Sequence, residues 1–317
     1  MSRLRIVHLC PTPLVGAPGK IARAQRGAGH DAVAYASKDY PKGGPLEGFF
    51  TSDLILIDDA VRDEMARRLA AADIVHVHNF LPGHEVSFVR DCARDARFVY
   101  HVHSPLREGP LFTDRSGEHG LEYARRLVVG QYAGRMYPDF VPVPNLILDE
   151  PSVQPQQAGE RLRVLFSPTH DRPGRWNNKH SEGLQPLLES LSSDGVIEAV
   201  IPSRPIPPDQ LMELRRSCHV SIDEIETGAF HQVSLEALCA GNVAINRADF
   251  FARSTYAKFC EGEMPPFTHA TARTIEHVLR HLAERPTETA TLQRRNVDFF
   301  RRFCDAARQV RWFDDAY

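Results

Sequence analysis

The chain has 317 residues, of which 42% are hydrophobic and 25% charged, and its formal net charge is −3 at pH 7. This length and composition predict a globular protein and favour two domains over one. The charge shows no basic excess of the kind that nucleic-acid-binding domains carry, so we expect no nucleic-acid partner.

Membrane insertion and disulfide chemistry are also not expected. No apolar run approaches the roughly 20 residues that a membrane-spanning helix needs, and a strand begins too soon after Met1 for a signal peptide. The six cysteines are scattered without a C-x-x-C pair, which argues against a zinc knuckle or a redox dithiol. The cytoplasm is therefore the expected location.

The N-terminal half begins with an alternation of strands and a helix. Residues 5–10 are mostly apolar, as in an interior parallel strand. A loop containing Gly16 leads into a helical segment at 21–28, and a second strand follows at 29–37. This pattern predicts a half-sheet of the nucleotide-binding type, although the G-x-G-x-x-G fingerprint is absent.

Histidines occur in pairs at the ends of two later strands. The sequence "ADIVHVHN" contains His76 and His78, and "RFVYHVHS" contains His101 and His103. Alternate residues of a strand share one face, so two imidazoles could reach one metal ion. No carboxylate or further histidine stands at a fixed local spacing. We therefore favour hydrogen-bonded histidines at the carboxyl edge of a sheet and predict no metal site.

The second half opens with another strand, at residues 163–167. The loop after it carries Arg172, Arg175 and Lys179. Basic side chains at the carboxyl end of a strand can neutralise a diphosphate and stabilise it as a leaving group. Solvated loop charges are the alternative interpretation.

Residues 217–246, "SCHVSIDEIETGAFHQVSLEALCAGNVAIN", predict a strand, a loop, a helix over 232–240 and a further strand. A helix that starts at the carboxyl edge of a parallel sheet directs free backbone N–H groups at an anion, and phosphate is the natural one. Glu236 lies about one turn into this helix. Its carboxylate either accepts hydrogen bonds from two ribose hydroxyls or is a solvated helix-face residue.

This segment resembles the donor-binding segment of retaining glycosyltransferases with two Rossmann-like domains, family 4 and its relatives. Two positions depart from the family pattern: Gly228 stands eight residues before Glu236, where relatives have a first glutamate, and His231 stands where many have glycine. The matching positions are Asp223, Gly228, His231, Glu236, Ala237, Gly241 and Val243.

The resemblance implies an α/β protein with two Rossmann-like domains facing across a cleft, the GT-B architecture. Residues 1–150 would form the acceptor domain, and residues 160–295 the nucleotide-sugar donor domain. The C-terminal helix, residues 296–317, would pack back on the first domain.

The resemblance also implies roles for individual residues. His103 would position the donor sugar, and Lys179 with Arg175 would stabilise the departing diphosphate. His78 and Asn79 would lie on the acceptor side. The implied donor-binding residues are Gly16, Arg172, Gly228, His231, Ser234, Leu235 and Glu236.

The implied function is transfer of a sugar from a nucleoside diphosphate to a hydroxyl acceptor with retention of configuration, in glycan or glycoconjugate biosynthesis. The acceptor would be a carbohydrate, a lipid-linked molecule or a small molecule, with peripheral contact at the inner face of the membrane as an option. No D-x-D motif occurs, so we expect no metal ion and no cofactor beyond the sugar nucleotide.

Three alternatives belong to other functional classes. The first is a nucleotide-sugar epimerase on the same fold, which needs no acceptor. The second is a metal-dependent hydrolase that uses the paired H-x-H strands. The third is a non-catalytic glycosyltransferase relative, which the departures at Gly228 and His231 would explain.

Overall fold

A computed structural model describes residues 3–103, 114–131, 137–168 and 183–317. The chain divides into two compact units, residues 1–148 together with 306–317, and residues 149–305. The C-terminal twelve residues therefore group with the first unit. Residues 296–305, which the sequence predicted to accompany them, group with the second.

The first unit is built on a parallel sheet whose strand order is β3-β2-β1-β4-β5-β6-β7. From β1 the chain adds β2 and β3 on one side and the remaining strands on the other. The topological switch point therefore lies between β1 and β4, where open parallel sheets bind ligands at their carboxyl edge. The strands are β1 (Arg5–Cys10), β2 (Asp31–Ala36), β3 (Ile55–Leu56), β4 (Ile74–His78), β5 (Arg97–Val102), β6 (Tyr123–Val129) and β7 (Val141–Val143).

The second unit contains a smaller parallel sheet with the order β12-β11-β10-β8-β9. From β8 the chain adds β9 on one side and then β10 on the other, so the switch point lies between β8 and β10. The strands are β8 (Leu162–Phe166), β9 (Ile197–Val200), β10 (Val220–Ile222), β11 (Val243–Asn246) and β12 (Thr268–His269).

Helices connect the strands. Among the helices that the structure describes, none combines the length and apolar composition that a membrane span needs. Numbered along the described chain they are α1 (Ala17–Gly27), α2 (Arg62–Ala70), α3 (Gly83–Cys92), α4 (Leu184–Ser193), α5 (Pro208–Arg216), α6 (Gln232–Cys239), α7 (Phe250–Ala257), α8 (Ile275–Glu284), α9 (Pro286–Phe299), α10 (Ala306–Gln309) and α11 (Arg311–Ala316).

The C-terminal segment completes the core of the first unit. Val310 and Phe313 are buried, at 2% and 0% exposure, in one cluster with the apolar face of the sheet and helix α1. The other buried members of this cluster include Ile6, Ile21, Ala22, Ile74, Val99, Leu127 and Val143.

The sequence predicted a single C-terminal helix over residues 296–317, but the chain leaves helical geometry at Asp305. Helix α9 passes into a π-helical turn at Phe300–Cys304, and Asp305 ends it with φ −55° and ψ 128°. Phe299, Phe300 and Phe303 are all buried. In a regular α-helix the side chains of two adjacent residues point 100° apart around the axis. The π turn is wider, with more residues per turn, and this allows both Phe299 and Phe300 to reach the core.

Candidate active site

The loops that follow β1 and β4 contain strained backbone. Leu14, Val15 and Gly16 have φ of 48°, 56° and 78°, and Asn79 has φ of 57°. A positive φ is unusual for leucine and a true outlier for a β-branched valine. Such backbone strain is found most often at functional sites. Gly16 precedes α1 and donates its N–H to the Pro13 carbonyl at 2.8 Å. The turn alone explains this glycine, so its predicted contact with the donor stays a prediction.

Three residues predicted for the first domain's site lie together at this edge. The rings of His78 and His103 are joined by a hydrogen bond from Nδ1 to Nε2 of 2.7 Å. The Asn79 side-chain oxygen accepts the His103 backbone N–H at 2.9 Å. His78 itself is 0% exposed and its other nitrogen contacts His8 at 2.9 Å. A role of His78 toward an acceptor stays a prediction, and in this conformation it would act through His103.

These residues belong to a larger group, the histidine ladder, formed by His8, His76, His78, His101 and His103. Strand alternation puts all five on one face of the sheet, with His8 beside His76 and His78 beside His101 in register. The neighbouring rings of His76 and His78 stack with centroids 4.2 Å apart. His8 was not predicted as a site residue, although "RIVH" repeats the pattern of "DIVH" and "FVYH" in the adjacent strands.

Two further residues that the sequence did not single out hold the ladder in place. His8 Nε2 lies 2.7 Å from Gln25 Oε1, and Gln25 Nε2 donates to the Tyr317 hydroxyl at 2.9 Å. The same hydroxyl lies 2.7 Å from His76 Nδ1. Gln25 and Tyr317 are 292 positions apart in the sequence, so no local pattern indicates their pairing.

The histidine ladder is electrically neutral because its rings are buried away from solvent. Burial lowers the pKa of His8 to about 4 and that of His103 to about 3. Burial and the neighbouring imidazoles hold the pKa values of His76, His78 and His101 well below the usual range. Removing an imidazolium from water is costly, so all five rings are uncharged near neutral pH.

In the second unit, Asp223 organises the loop between β10 and α6. Its carboxylate accepts the His231 backbone N–H at 2.6 Å and the Ser234 hydroxyl at 2.7 Å. The His231 ring Nδ1 lies 3.1 Å from the same carboxylate, and Asn246 donates to Ser234 at 2.8 Å. The predicted residues His231 and Ser234 are therefore joined through Asp223, which fixes the start of the helix.

Asp223 is a buried anion placed beside a histidine. Burial by itself raises the pKa of its carboxyl group, but the charge of His231 and the hydrogen bonds from His231 and Ser234 outweigh this and leave the pKa below its usual value. His231 is the N-cap of α6, whose first N–H groups have no partner within the helix. The arrangement places a histidine and a helix dipole at the carboxyl edge of the sheet, which suits an anion.

Glu236 has a structural partner. Its carboxylate forms an ion pair with Arg215 at 2.7 Å and accepts a hydrogen bond from Gln232 at 2.7 Å. The Arg215 side chain is 0% exposed, and the Glu236 side chain is 18% exposed. The predicted ribose contact stays a prediction beside this ion pair. Arg215 was missed because an arginine near the end of an amphipathic helix is usually a surface residue.

The remaining predicted donor residues divide between a turn, the core and an undescribed segment. Gly228 has φ of 81°, which the left-handed turn before α6 requires. Leu235 is 0% exposed and packs in the core. Arg172, Arg175 and Lys179 lie outside the described residues, and their predicted roles stay predictions.

Comparison with known proteins supports the fold. No protein-family model matches the chain, and no curated protein matches it. An alpha-glucosyltransferase solved with UDP-glucose and DNA containing an abasic site is 10% identical, with a TM-score of 0.68 over 99% of both chains. An alpha-glucosyltransferase with UDP and a mismatched 13-mer DNA is 11% identical, with a TM-score of 0.69 over 98% of this chain and 99% of that one. The spinosyn forosaminyltransferase SpnP is 14% identical, with a TM-score of 0.55 over 99% of each.

These similarities confirm the predicted fold class, two Rossmann-like units of the GT-B type. They also overturn one expectation. We expected no nucleic-acid partner from the net charge of −3. The same fold, over nearly the whole chain, occurs in enzymes solved with DNA, so net charge does not exclude a nucleic-acid acceptor.

Proposed function

We propose that the chain is a glycosyltransferase that takes its sugar from a nucleoside diphosphate. The observation that carries the proposal is the start of α6, where Asp223 holds His231 at the carboxyl edge of the second sheet. This loop follows β10, one of the two strands at the switch point. The loop after β8, the other strand, contains Arg172, Arg175 and Lys179 in the sequence. A diphosphate between the two loops would meet the basic side chains and the N-terminus of α6, and the negative charge of Asp223 is already paired with His231.

Chemically, the bond between the anomeric carbon and the diphosphate breaks as the acceptor oxygen bonds to that carbon. Negative charge grows on the leaving phosphate, which can take up the proton of the acceptor hydroxyl. The α6 N-terminus, His231 and the basic loop would stabilise that charge. This protein charge takes the place of a divalent ion at the diphosphate, and transfer would proceed with retention of configuration. As the resemblance implies, His103 would position the donor sugar.

For the acceptor we propose a hydroxyl group on a nucleic acid as the first candidate. Two similar structures are alpha-glucosyltransferases bound to DNA, one together with UDP-glucose. A carbohydrate, a lipid-linked acceptor and a small molecule are the other candidates.

A coupled assay of nucleoside-diphosphate release tests the proposal. The purified full-length protein is given UDP-glucose and other sugar nucleotides, with and without duplex DNA bearing hydroxymethylated bases. Acceptor-dependent release in the wild type, reduced on the order of tenfold or more in His231→Ala, supports the proposal. His119→Gln, which alters another buried histidine, is the matched control. Failure of every sugar nucleotide to turn over with any acceptor class argues against an active transferase.

A further inference from the structure

Three members of the histidine ladder form a compact group of ligands. His8, His76 and His78 each offer a ring nitrogen, and these atoms all lie within 4.8 Å of one another. All three side chains are 0% exposed. We propose that these imidazoles bind one late first-row transition-metal ion, Zn²⁺ or Cu⁺. The proposal is independent of the proposed sugar transfer.

The strongest support comes from the outer shell of this group, that is, the side chains that hydrogen-bond to the three histidines. A histidine that binds a metal through one nitrogen normally gives its other N–H to an acceptor, which fixes the ring and its tautomer. His8 Nε2 faces Gln25 Oε1 at 2.7 Å, and His76 Nδ1 faces the Tyr317 hydroxyl at 2.7 Å. His78 Nδ1 faces His103 Nε2 at 2.7 Å. Each ligand therefore already has a partner for the nitrogen that would not bind the metal.

The three nitrogens left to bind a metal are His8 Nδ1, His76 Nε2 and His78 Nε2. His8 Nδ1 and His78 Nε2 lie 2.9 Å apart. His76 Nε2 is buried and has no hydrogen-bond partner within the part of the chain that the structure describes. With metal–nitrogen bonds of about 2.0–2.1 Å, a tetrahedral site separates two nitrogens by about 3.4 Å. Moving His8 and His78 about 0.5 Å apart brings this pair of nitrogens to that separation. The third ligand atom, on His76, lies within 4.8 Å of both.

A second group, His78, His101 and His103, shares one histidine with the first. It lacks the same support. Both ring nitrogens of His101 are without hydrogen-bond partners among the described residues, so no hydrogen bond there fixes the tautomer of that ring. We therefore assign the ion to His8, His76 and His78.

The ligand chemistry selects the class of metal. Three neutral imidazoles without a carboxylate suit zinc and copper, whereas magnesium and calcium prefer oxygen ligands. Three protein ligands leave one coordination position for water or a small anion. The ion would link β1 to β4 beneath Phe313 and Tyr317, whose rings contact His76.

Metal analysis of the untagged full-length protein tests the proposal. We expect about one equivalent of zinc or copper per chain in the wild type, or its uptake by metal-depleted protein with a rise in melting temperature. His76→Gln should bind less than a tenth as much. His119→Gln, a buried histidine outside the ladder, should bind as the wild type does. Trace metal together with no response to added Zn²⁺ or Cu⁺ would overturn the proposal, as would full binding by His76→Gln.

Tyr317→Phe tests the outer shell without removing a ligand. It keeps the aromatic ring and deletes the hydroxyl next to His76 Nδ1, so the affinity for Zn²⁺ should fall about 10–100-fold in a chelator competition. Tyr123→Phe, which deletes the hydroxyl bonded to His119, is the matched control. Equal affinities in wild type and Tyr317→Phe would contradict the assigned shell.

X-ray absorption of the wild-type zinc protein covers the case in which His76→Gln does not fold. Scattering from three imidazoles supports the site, and a shell dominated by oxygen or sulfur contradicts it. Nucleotide binding, measured separately, reports on the proposed function and does not depend on these results.

Discussion

At the scale of single residues, Glu236 illustrates how one side chain supports two interpretations. The resemblance assigns it to the ribose, and the structure gives it an ion pair with the fully buried Arg215. Removal of the carboxylate would leave the guanidinium unpaired in the interior. Because an uncompensated buried charge is expensive, we expect Glu236→Ala to lower the free energy of unfolding by about 3–5 kcal/mol, measured by urea denaturation.

A surface glutamate of the same unit provides the control. Glu213 pairs with Arg216 at 71% exposure of its side chain, and Glu213→Ala should change stability by less than about 1 kcal/mol. If Glu236→Ala is as stable as the wild type but binds nucleotide more weakly, the ribose role accounts for the residue and the structural role does not.

His119 predicts a dependence of stability on pH. Its ring accepts the Leu81 backbone N–H at 3.2 Å, and burial lowers its pKa in the folded protein. The unfolded chain, with a histidine pKa of about 6.5, then takes up a proton first as the pH falls. This contribution to the free energy of unfolding is complete above about pH 6.5 and is lost as the pH falls below that value.

The comparison with His119→Gln isolates this residue from the other histidines. Urea denaturation at several pH values between about 7 and 5 should give a shallower loss of stability in the variant than in the wild type. Parallel curves for the two proteins would show that the protonation of His119 is not coupled to folding.

At the scale of elements, the loop and first turn of α6 are the proposed anion site. A nucleotide held there should slow hydrogen exchange of the backbone amides in residues 228–234. At a hundred times the dissociation constant, amides that exchange only in the free state should slow about a hundredfold. Helix α8, in the same unit, is the internal control. Slowing in α8 with none in 228–234 would place the ligand elsewhere.

The C-terminal helix α11 is expected to contribute much of the first unit's stability. Phe313 is 0% exposed and belongs to the core of that unit. Because the substitution leaves a cavity, Phe313→Ala should cost about 3–5 kcal/mol in urea denaturation. Phe250→Ala is the control, since Phe250 is 74% exposed. Similar losses for both variants would contradict this description of α11.

Elements with a strong local pattern were predictable from the sequence. The strand Arg5–Cys10 and the helix Gln232–Cys239 match their predictions to within a residue, because apolar runs and a following glycine determine them locally. The break near Asp305 was not predictable. Helical spacing of Phe299 and Phe303 does not distinguish an α-helix from one that widens into a π turn.

Some residues of the candidate site were also predictable from the sequence, and others were not. The sequence brought His78, Asn79 and His103 together because the carboxyl ends of parallel strands meet at one edge. It did not find Gln25, Tyr317 or Arg215, whose roles depend on tertiary contacts. Those contacts exist only once the sheet and its covering helices have assembled.

At the scale of the whole molecule, the two Rossmann-like units were predicted from the resemblance of residues 217–246 to a glycosyltransferase family. Proteins only 10–11% identical share this fold over nearly the entire chain. Acceptor specificity was not predictable, because acceptor-binding loops follow no general rule of sequence. The net charge of the whole chain does not decide whether a nucleic acid binds, since a binding surface depends on local charge.

The most direct test of the central claim is the thermal stabilisation of the full-length protein by UDP, GDP, dTDP, ADP and CMP, each with and without EDTA. Saturation at about a hundred times the dissociation constant should add nearly 3 kcal/mol to the free energy of unfolding. We predict a clear rise in melting temperature with one nucleoside diphosphate, equal in size with EDTA present. No rise with any nucleotide would contradict a nucleotide-sugar site at the start of α6.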